Sequence, residues 1–388
     1  MNSGIAKFSF PTTIYFGAGA IDNLPQYLQD ITIKKPLLVT DPGMLKTDVF
    51  PKVEGILKSS GIAFGLFSRV NPNPLDSDIQ KAVDIYSDEG CDGVIGLGGG
   101  SALDAAKMVQ VIAGHGGKVN DYDISTGGNQ NIRGPLPPMI AVPTTSGTGS
   151  EVGSCSVITS VALGRKFLVC SPLLIPSIAL LDPELTLGMP AALTAGTGMD
   201  AFTHCLEALS VKDFHPMCDA IALKGIEFVA QYLETAVKEP DNIEARGHMQ
   251  LAAMMGAVAF QKDLGAAHSL SHSLSAVCHV PHGLANAICL EPVMKFNRES
   301  CLEEYAKVAA CFGVNTFDMS LEEAAGKAIE AVTDLKKRIG IPEKLSAVGV
   351  KEEDLEELTE KAFLDGCHQS NPRSCTRENL RDLYREVL

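Results

Sequence analysis

Residues 94–107 read VIGLGGGSALDAAK. A short apolar run ends in three glycines, and Ser101 opens a stretch with apolar positions at helical spacing. This is a strand, a tight turn and a helix. Glycines let the backbone approach a ligand, and the free N–H groups of a helix start face an anion. Ser101 is expected as the helix N-cap, with Asp104 at N3. The turn is not a full dinucleotide fingerprint. Gly96-x-Gly98 has the spacing, but Ser101 stands where a third glycine is expected. A ligand-free β–α turn has the same local sequence.

The texture repeats outward from this turn. Residues 35–41, 92–97, 136–143 and 177–181 read as strands separated by helical stretches. That alternation implies a mostly parallel sheet with helices on both faces. Asp41 closes its strand. A carboxylate there can accept from ribose hydroxyls and would repel a 2′-phosphate, which favours NAD over NADP; it also suits a turn before Pro42. PTTSGTGSE at 143–151 is a second loop rich in hydroxyls and free N–H groups. After LDPE at 181–184 the texture becomes helical, over 191–211, 218–238, 243–260, 302–311 and 321–339. The expected division is an α/β domain over 1–184, whose glycine-rich turn and Asp41 suit dinucleotide binding, and an all-α domain over 185–388.

Composition narrows the function. The 388 residues carry a formal charge of −15, which argues against nucleic acid and anionic membranes as partners. Hydrophobic residues at 45% and charged residues at 20% are an ordinary globular balance, with ample chain for a core. No apolar run approaches the roughly 18 residues of a membrane span. MNSGIAKFSFPTT at the start lacks the pattern of a signal peptide. Eleven cysteines without a C-x-x-C motif read as reduced thiols in a cytoplasmic setting.

Four of the nine histidines, His268, His272, His279 and His282, fall within fifteen residues. Asp200 and His204 are four apart in a helical stretch and so share a face, as do His268 and His272. Pro281 breaks the helix, so His282 should start another. An aspartate with three imidazoles suits a divalent first-row metal. Spacing alone leaves open which of the four clustered histidines bind.

These segments together resemble the iron-dependent (group III) alcohol dehydrogenase family, with its dehydroquinate synthase-like fold. The matching stretches are GGGSALDAAK (98–107), PTTSGTGSEV (143–152), LDPELT (181–186), MDAFTHCLEA (199–208) and HSLSHSLSAVCHVPHGLANAI (268–288). The resemblance spans essentially the whole chain. It implies Asp200, His204, His268 and His282 as metal ligands, with His272 near the nicotinamide as the catalytic histidine. His279 matches no family ligand. The family's NAD(H) contacts carry onto Asp41, Asn73, Gly98, Gly99, Gly100, Ser101, Thr144, Thr145, Ser150, Lys166 and Leu185. The implied metal is Fe(II), with Zn(II) also compatible, and the implied assembly is a homodimer or higher homo-oligomer.

The implied reaction interconverts a small primary alcohol and its aldehyde, the metal acting as a Lewis acid. Phe260, Lys262 and Cys367 fall where the family lines its substrate pocket. The stretch from Phe260 to His268 is one residue shorter than in the best-known members. A cation at Lys262 suggests an aldehyde with an anionic tail (sulfonate, carboxylate or phosphonate), although a lysine here also reads as a solvated loop residue. Competing readings are a polyol dehydrogenase of the glycerol dehydrogenase type, a metal-dependent lyase or hydrolase, and a non-catalytic nucleotide-binding protein.

Overall fold

The computed structural model describes residues 8–10, 12–162 and 164–388. They form two compact units. An α/β unit holds residues 12–145 and Gly149–Gly188, and a helical unit holds residues 8–10, Ser146–Thr148 and Met189–Leu388. No helix among the described residues is long and apolar enough to cross a membrane.

The strands of the α/β unit are β1 (Thr13–Phe16), β2 (Pro36–Val39), β3 (Gly65–Phe67), β4 (Gly93–Gly98), β5 (Met139–Pro143), β6 (Cys155–Ser160), β7 (Arg165–Cys170) and β8 (Ile178–Leu181). Its α-helices are α1 (Leu24–Asp30), α2 (Val49–Ser59), α3 (Asp76–Asp88) and α4 (Gly100–His115). Six strands make one parallel sheet in the order β1-β8-β5-β4-β2-β3. Strands β2, β4, β5 and β8 are buried along their whole length. Covered on both faces, they are almost uninterrupted apolar runs instead of alternating ones. Leu37, Val39 and Val94 pack with Ile79, Leu103 and Val109 on one face. Leu38, Ile95 and Ile140 pack with Leu24, Leu28, Val53 and Leu57 on the other.

Strands β6 and β7 form a separate antiparallel ribbon, and it corrects the expectation of reduced thiols. Cys155 and Cys170 face each other across it, Cα–Cα 4.1 Å, as a disulfide. The register of a ribbon decides that pairing, and cysteine spacing does not reveal register. Nine other cysteines among the described residues are free. A second correction concerns the glycine-rich turn. The N-cap of α4 is Gly99, and the Ser101 hydroxyl donates instead to the Pro72 carbonyl at 2.6 Å. Asp104 accepts from Ser150 Oγ (2.6 Å) and Val157 N (3.0 Å).

The helical unit runs α5 (Ala191–Ser210), α6 (Pro216–Lys238), α7 (Ile243–Ala259), α8 (Ala266–Val277), α9 (His282–Asn297), α10 (Leu302–Cys311), α11 (Leu321–Arg338), α12 (Leu355–Leu364) and α13 (Arg377–Val387). One core joins them, with Phe202 and Leu206 of α5, Ile226 and Leu233 of α6, Leu270 of α8 and Ile288 of α9 among its members. Pro281 is the N-cap residue of α9, so a new helix does begin at His282. His279, on the link, is exposed with φ 57°.

Helices α5 and α9 approach closely because Gly283 has no side chain. A Cβ there would lie 2.4 Å from the Gly196 carbonyl oxygen. Gly283→Ala is therefore expected to push α9 off α5 at a cost of roughly 1–3 kcal/mol. Calorimetry of the metal-free protein should show Tm lowered by several degrees.

Candidate metal and nucleotide sites

Three helices bring the metal-type residues together. Asp200 and His204 lie one turn apart on α5, His268 is in the first turn of α8, and His282 opens α9. Each offers a ligand atom, and all four atoms lie within 4.8 Å of one another. His282 Nε2 is 3.3 Å from Asp200 Oδ1, and His268 Nε2 is 4.0 Å from it. The His204 and His268 rings stack at 4.6 Å.

Hydrogen bonds behind the imidazoles aim them. Glu207, buried on α5 one turn beyond His204, takes Ala267 N at 2.7 Å on Oε1 and His268 Nδ1 at 2.5 Å on Oε2. Burial pushes the Glu207 carboxyl up to about 7, against the opposing pull of the Gly265 and Ala267 N–H groups. Ser271 Oγ lies 3.2 Å from the His282 carbonyl and donates to it, so it accepts from His282 Nδ1 at 2.8 Å. With Glu207 ionised, and so only accepting, both Nδ1 atoms are engaged as donors and both Nε2 lone pairs turn inward. Burial also holds His268 well below the usual imidazole range, so it is neutral.

The donor set fits a cation. Asn286 Nδ2 sits 2.7 Å from Asp200 Oδ1 and 3.3 Å from both inward Nε2 atoms. Asn286 Oδ1 and His204 Nδ1 are buried without a partner. A buried carboxylate facing lone pairs, with one amide among them, is a poorly compensated charge. Three imidazole nitrogens and a carboxylate oxygen around that point suit Fe(II), Zn(II) or a neighbouring divalent metal.

The pocket-type residues divide. The Phe260 ring lies 5.1 Å from that of His204. Cys367 groups with His272 and Asp365. Lys262 corrects the expectation of a free cation: its side chain is 2% exposed, and Nζ pairs with Asp219 Oδ1 at 2.5 Å. A buried ammonium needs such a counter-ion.

The nucleotide-type residues gather at the carboxyl ends of adjacent strands in the α/β unit, the usual binding edge of such a sheet. Asp41 follows β2. Its Oδ1 accepts from Gly43 N (2.7 Å) and Met44 N (3.1 Å), and its Oδ2 lies 3.3 Å from where a Gly98 Cβ would be. Gly98, at φ 143°, has no Cβ to occupy that space. Thr144 N donates to Gly98 O at 3.0 Å, and Thr145 Cγ2 lies 3.3 Å from a Gly99 Cβ position. The Ser101–Pro72 bond draws the Asn73 loop against the start of α4. Lys166 lies opposite Thr159 in the ribbon, and burial lowers its pKa. Ser150 is turned inward, its hydroxyl accepting from buried Lys107 at 2.9 Å. The Leu185 side chain belongs to the sheet core.

Comparison with known proteins matches residues 11–183 to the iron-containing alcohol dehydrogenase model. Residues 194–388 match the C-terminal model of the same family. The chain belongs to the iron-containing alcohol dehydrogenase family. It is 36% identical to the NAD-dependent methanol dehydrogenase of Bacillus methanolicus, over 99% of this chain and 100% of that one. It is 37% identical to the 4-hydroxybutyrate dehydrogenase of Cupriavidus necator, with the same coverage. Among solved structures, a 1,3-propanediol oxidoreductase superposes at TM-score 0.95 with 37% identity, over 99% of this chain and 100% of that one. Membership makes the chain an alcohol dehydrogenase and implies NAD(H) and a metal ion. It sets aside the lyase, hydrolase and non-catalytic readings.

Glu207, Ser271 and Asn286 escaped the sequence reading of this alcohol dehydrogenase. Glu207 had a local signal, since it lies one helical turn past His204. Ser271 and Asn286 acquire roles only when α8 and α9 meet. For Glu207→Gln, Co(II) titration followed by its visible absorption should show binding weakened by about 10–100-fold.

Proposed function

We propose that Asp200, His204, His268 and His282 hold a divalent metal, Fe(II) first, and that the enzyme interconverts a small primary alcohol and its aldehyde with NAD(H). The convergence of the four ligand atoms carries this reading. In this division residues 1–184 bind the nucleotide through Asp41, Asn73, Gly98–Ser101, Thr144, Thr145 and Lys166, and residues 185–388 bind the metal. Ser150 and Leu185 serve by backbone, since their side chains point into the unit. When bound, the metal supplies a Lewis acid and NAD+ accepts the hydride.

The chain's own work is positional. Glu207 and Ser271 keep the imidazole lone pairs aimed, and Asn286 steadies Asp200. Oxidation of an alcohol releases the carbon-bound hydrogen as hydride and the hydroxyl hydrogen as a proton. His272 receives that proton; its ring stacks 5.3 Å from His282 and its side chain is 40% exposed. Phe260 and Cys367 line the pocket. The enzyme works as a homo-oligomer, which light scattering would read directly.

The substrate tail we propose is uncharged. Lys262 gives its charge to the half-buried Asp219, so an anionic tail would have to displace an existing carboxylate partner. Two measurements test these assignments. His268→Ala should lose both metal and NADH-linked turnover, whereas His272→Ala should keep its metal and lose about 100-fold in kcat. Lys262→Met should leave the kcat/KM ratio of carboxylate-bearing to neutral short aldehydes within about twofold of wild type; a selective loss on the charged aldehyde would restore the anionic-tail reading.

A further inference from the structure

Behind His272 lies a carboxylate, Asp365, that the reaction as described does not use. His272 Nδ1 is 2.9 Å from Asp365 Oδ2. Asp365 follows the end of α12, 93 residues further along the chain. Its other oxygen, Oδ1, accepts from Ser269 Oγ at 2.8 Å and from Cys367 N at 2.9 Å. Ser269 Oγ in turn accepts from His368 N at 2.9 Å. Asn371, on the same segment, accepts from Ala266 N at 3.2 Å. The link between α12 and α13 is thus tied to the start of α8 at three points, and the carboxylate between them is held in one orientation.

We propose that Asp365 is the positioning residue for His272: it holds the imidazole as the Nδ1–H tautomer and turns the Nε2 lone pair toward the proton that the alcohol gives up. This rests on the reading of His272 as the proton acceptor. An ionised carboxylate only accepts, so the ring proton must be on Nδ1. Nε2 meets no protein partner among the described residues and is available to a reactant. The rings of His282, at 5.3 Å, and His268, at 5.8 Å, confine the imidazole on its other sides. Burial alone would raise the Asp365 pKa. The hydrogen bonds from His272, Cys367 and Ser269 hold it well below the usual carboxylate range, so the acceptor is present throughout neutral pH. The proton balance is simple: the hydroxyl proton arrives at Nε2, Nδ1–H stays on Asp365, and the imidazolium returns its proton to solvent.

This assignment also accounts for Cys367. Burial raises its thiol well above the usual range, with the Asp365 charge adding to the effect, so it is neutral. Besides lining the pocket, it supplies the backbone N–H that fixes Asp365.

The test compares Asp365→Asn, His272→Ala and their double variant in the Zn(II)-loaded enzyme, alongside 15N spectra of the imidazoles. Wild type should show His272 as the Nδ1–H tautomer, and Asp365→Asn should shift it toward Nε2–H. The single Asp365→Asn variant should lose at least tenfold in kcat with KM within about threefold and metal content unchanged. The double variant should be no slower than His272→Ala alone, since both remove one function. Asp365→Glu should recover part of the loss. An Nε2–H tautomer in wild type overturns the proposal without any variant needing to fold. So does wild-type kcat in Asp365→Asn where His272→Ala is slow. If His272→Ala itself turns over normally, the proton-acceptor reading falls first, and the tautomer shift separately reports whether Asp365 positions the ring.

Discussion

A buried carboxylate among imidazole lone pairs is the constraint on which the helical unit depends. Asp200 is almost wholly inaccessible, and its hydrogen-bond donor is the side-chain amide of Asn286. Two inward Nε2 atoms face the same amide nitrogen. Acceptors crowded in a low-dielectric interior repel one another and forgo water, a cost of several kcal/mol for an ion. A divalent cation reverses the sign of that interaction. The arrangement makes physical sense as a cation site, and much else in the helical unit serves to hold its parts in place.

Two kinds of support hold it. One is steric: Gly283 brings the start of α9 against α5, so His282 reaches Asp200. The other is polar. Glu207 and Ser271 each occupy the Nδ1 of an imidazole whose Nε2 is needed, and Asp365 does the same for His272. Side-chain oxygens thus stand behind three histidines, each within hydrogen-bond distance of Nδ1. Preorganisation of this kind costs fold stability in buried polar groups and returns it as ligand geometry that needs no rearrangement.

In the α/β unit the corresponding constraint is backbone access. Gly98 and Gly99 sit where side chains would meet Asp41, Ala102 and Thr145. The absent Cβ atoms leave room at the carboxyl ends of β2, β4 and β5, where the nucleotide-type residues gather.

Periodicity and composition alone determined the strands at 35–41, 92–97, 136–143 and 177–181, the long helices after residue 190, and the shared face of Asp200 and His204. These are local properties: a strand buried on both faces must be apolar throughout, and a helix returns to the same face every four residues. The motif GGGSALDAAK likewise declared its turn, though not its cap: the helix begins at Gly100 with Gly99 as N-cap, and the Ser101 hydroxyl, inside the first turn, donates to Pro72. The tertiary structure decided the rest. It chose among the clustered histidines, placing His268 and His282 inward, His272 alongside and His279 on the surface. It also paired Cys155 with Cys170, gave Lys262 to Asp219, and brought Asp365 to His272 across 93 residues. Each of these depends on how separate elements pack, and a hydrogen bond or ion pair between residues far apart in the chain leaves no periodic trace in the sequence.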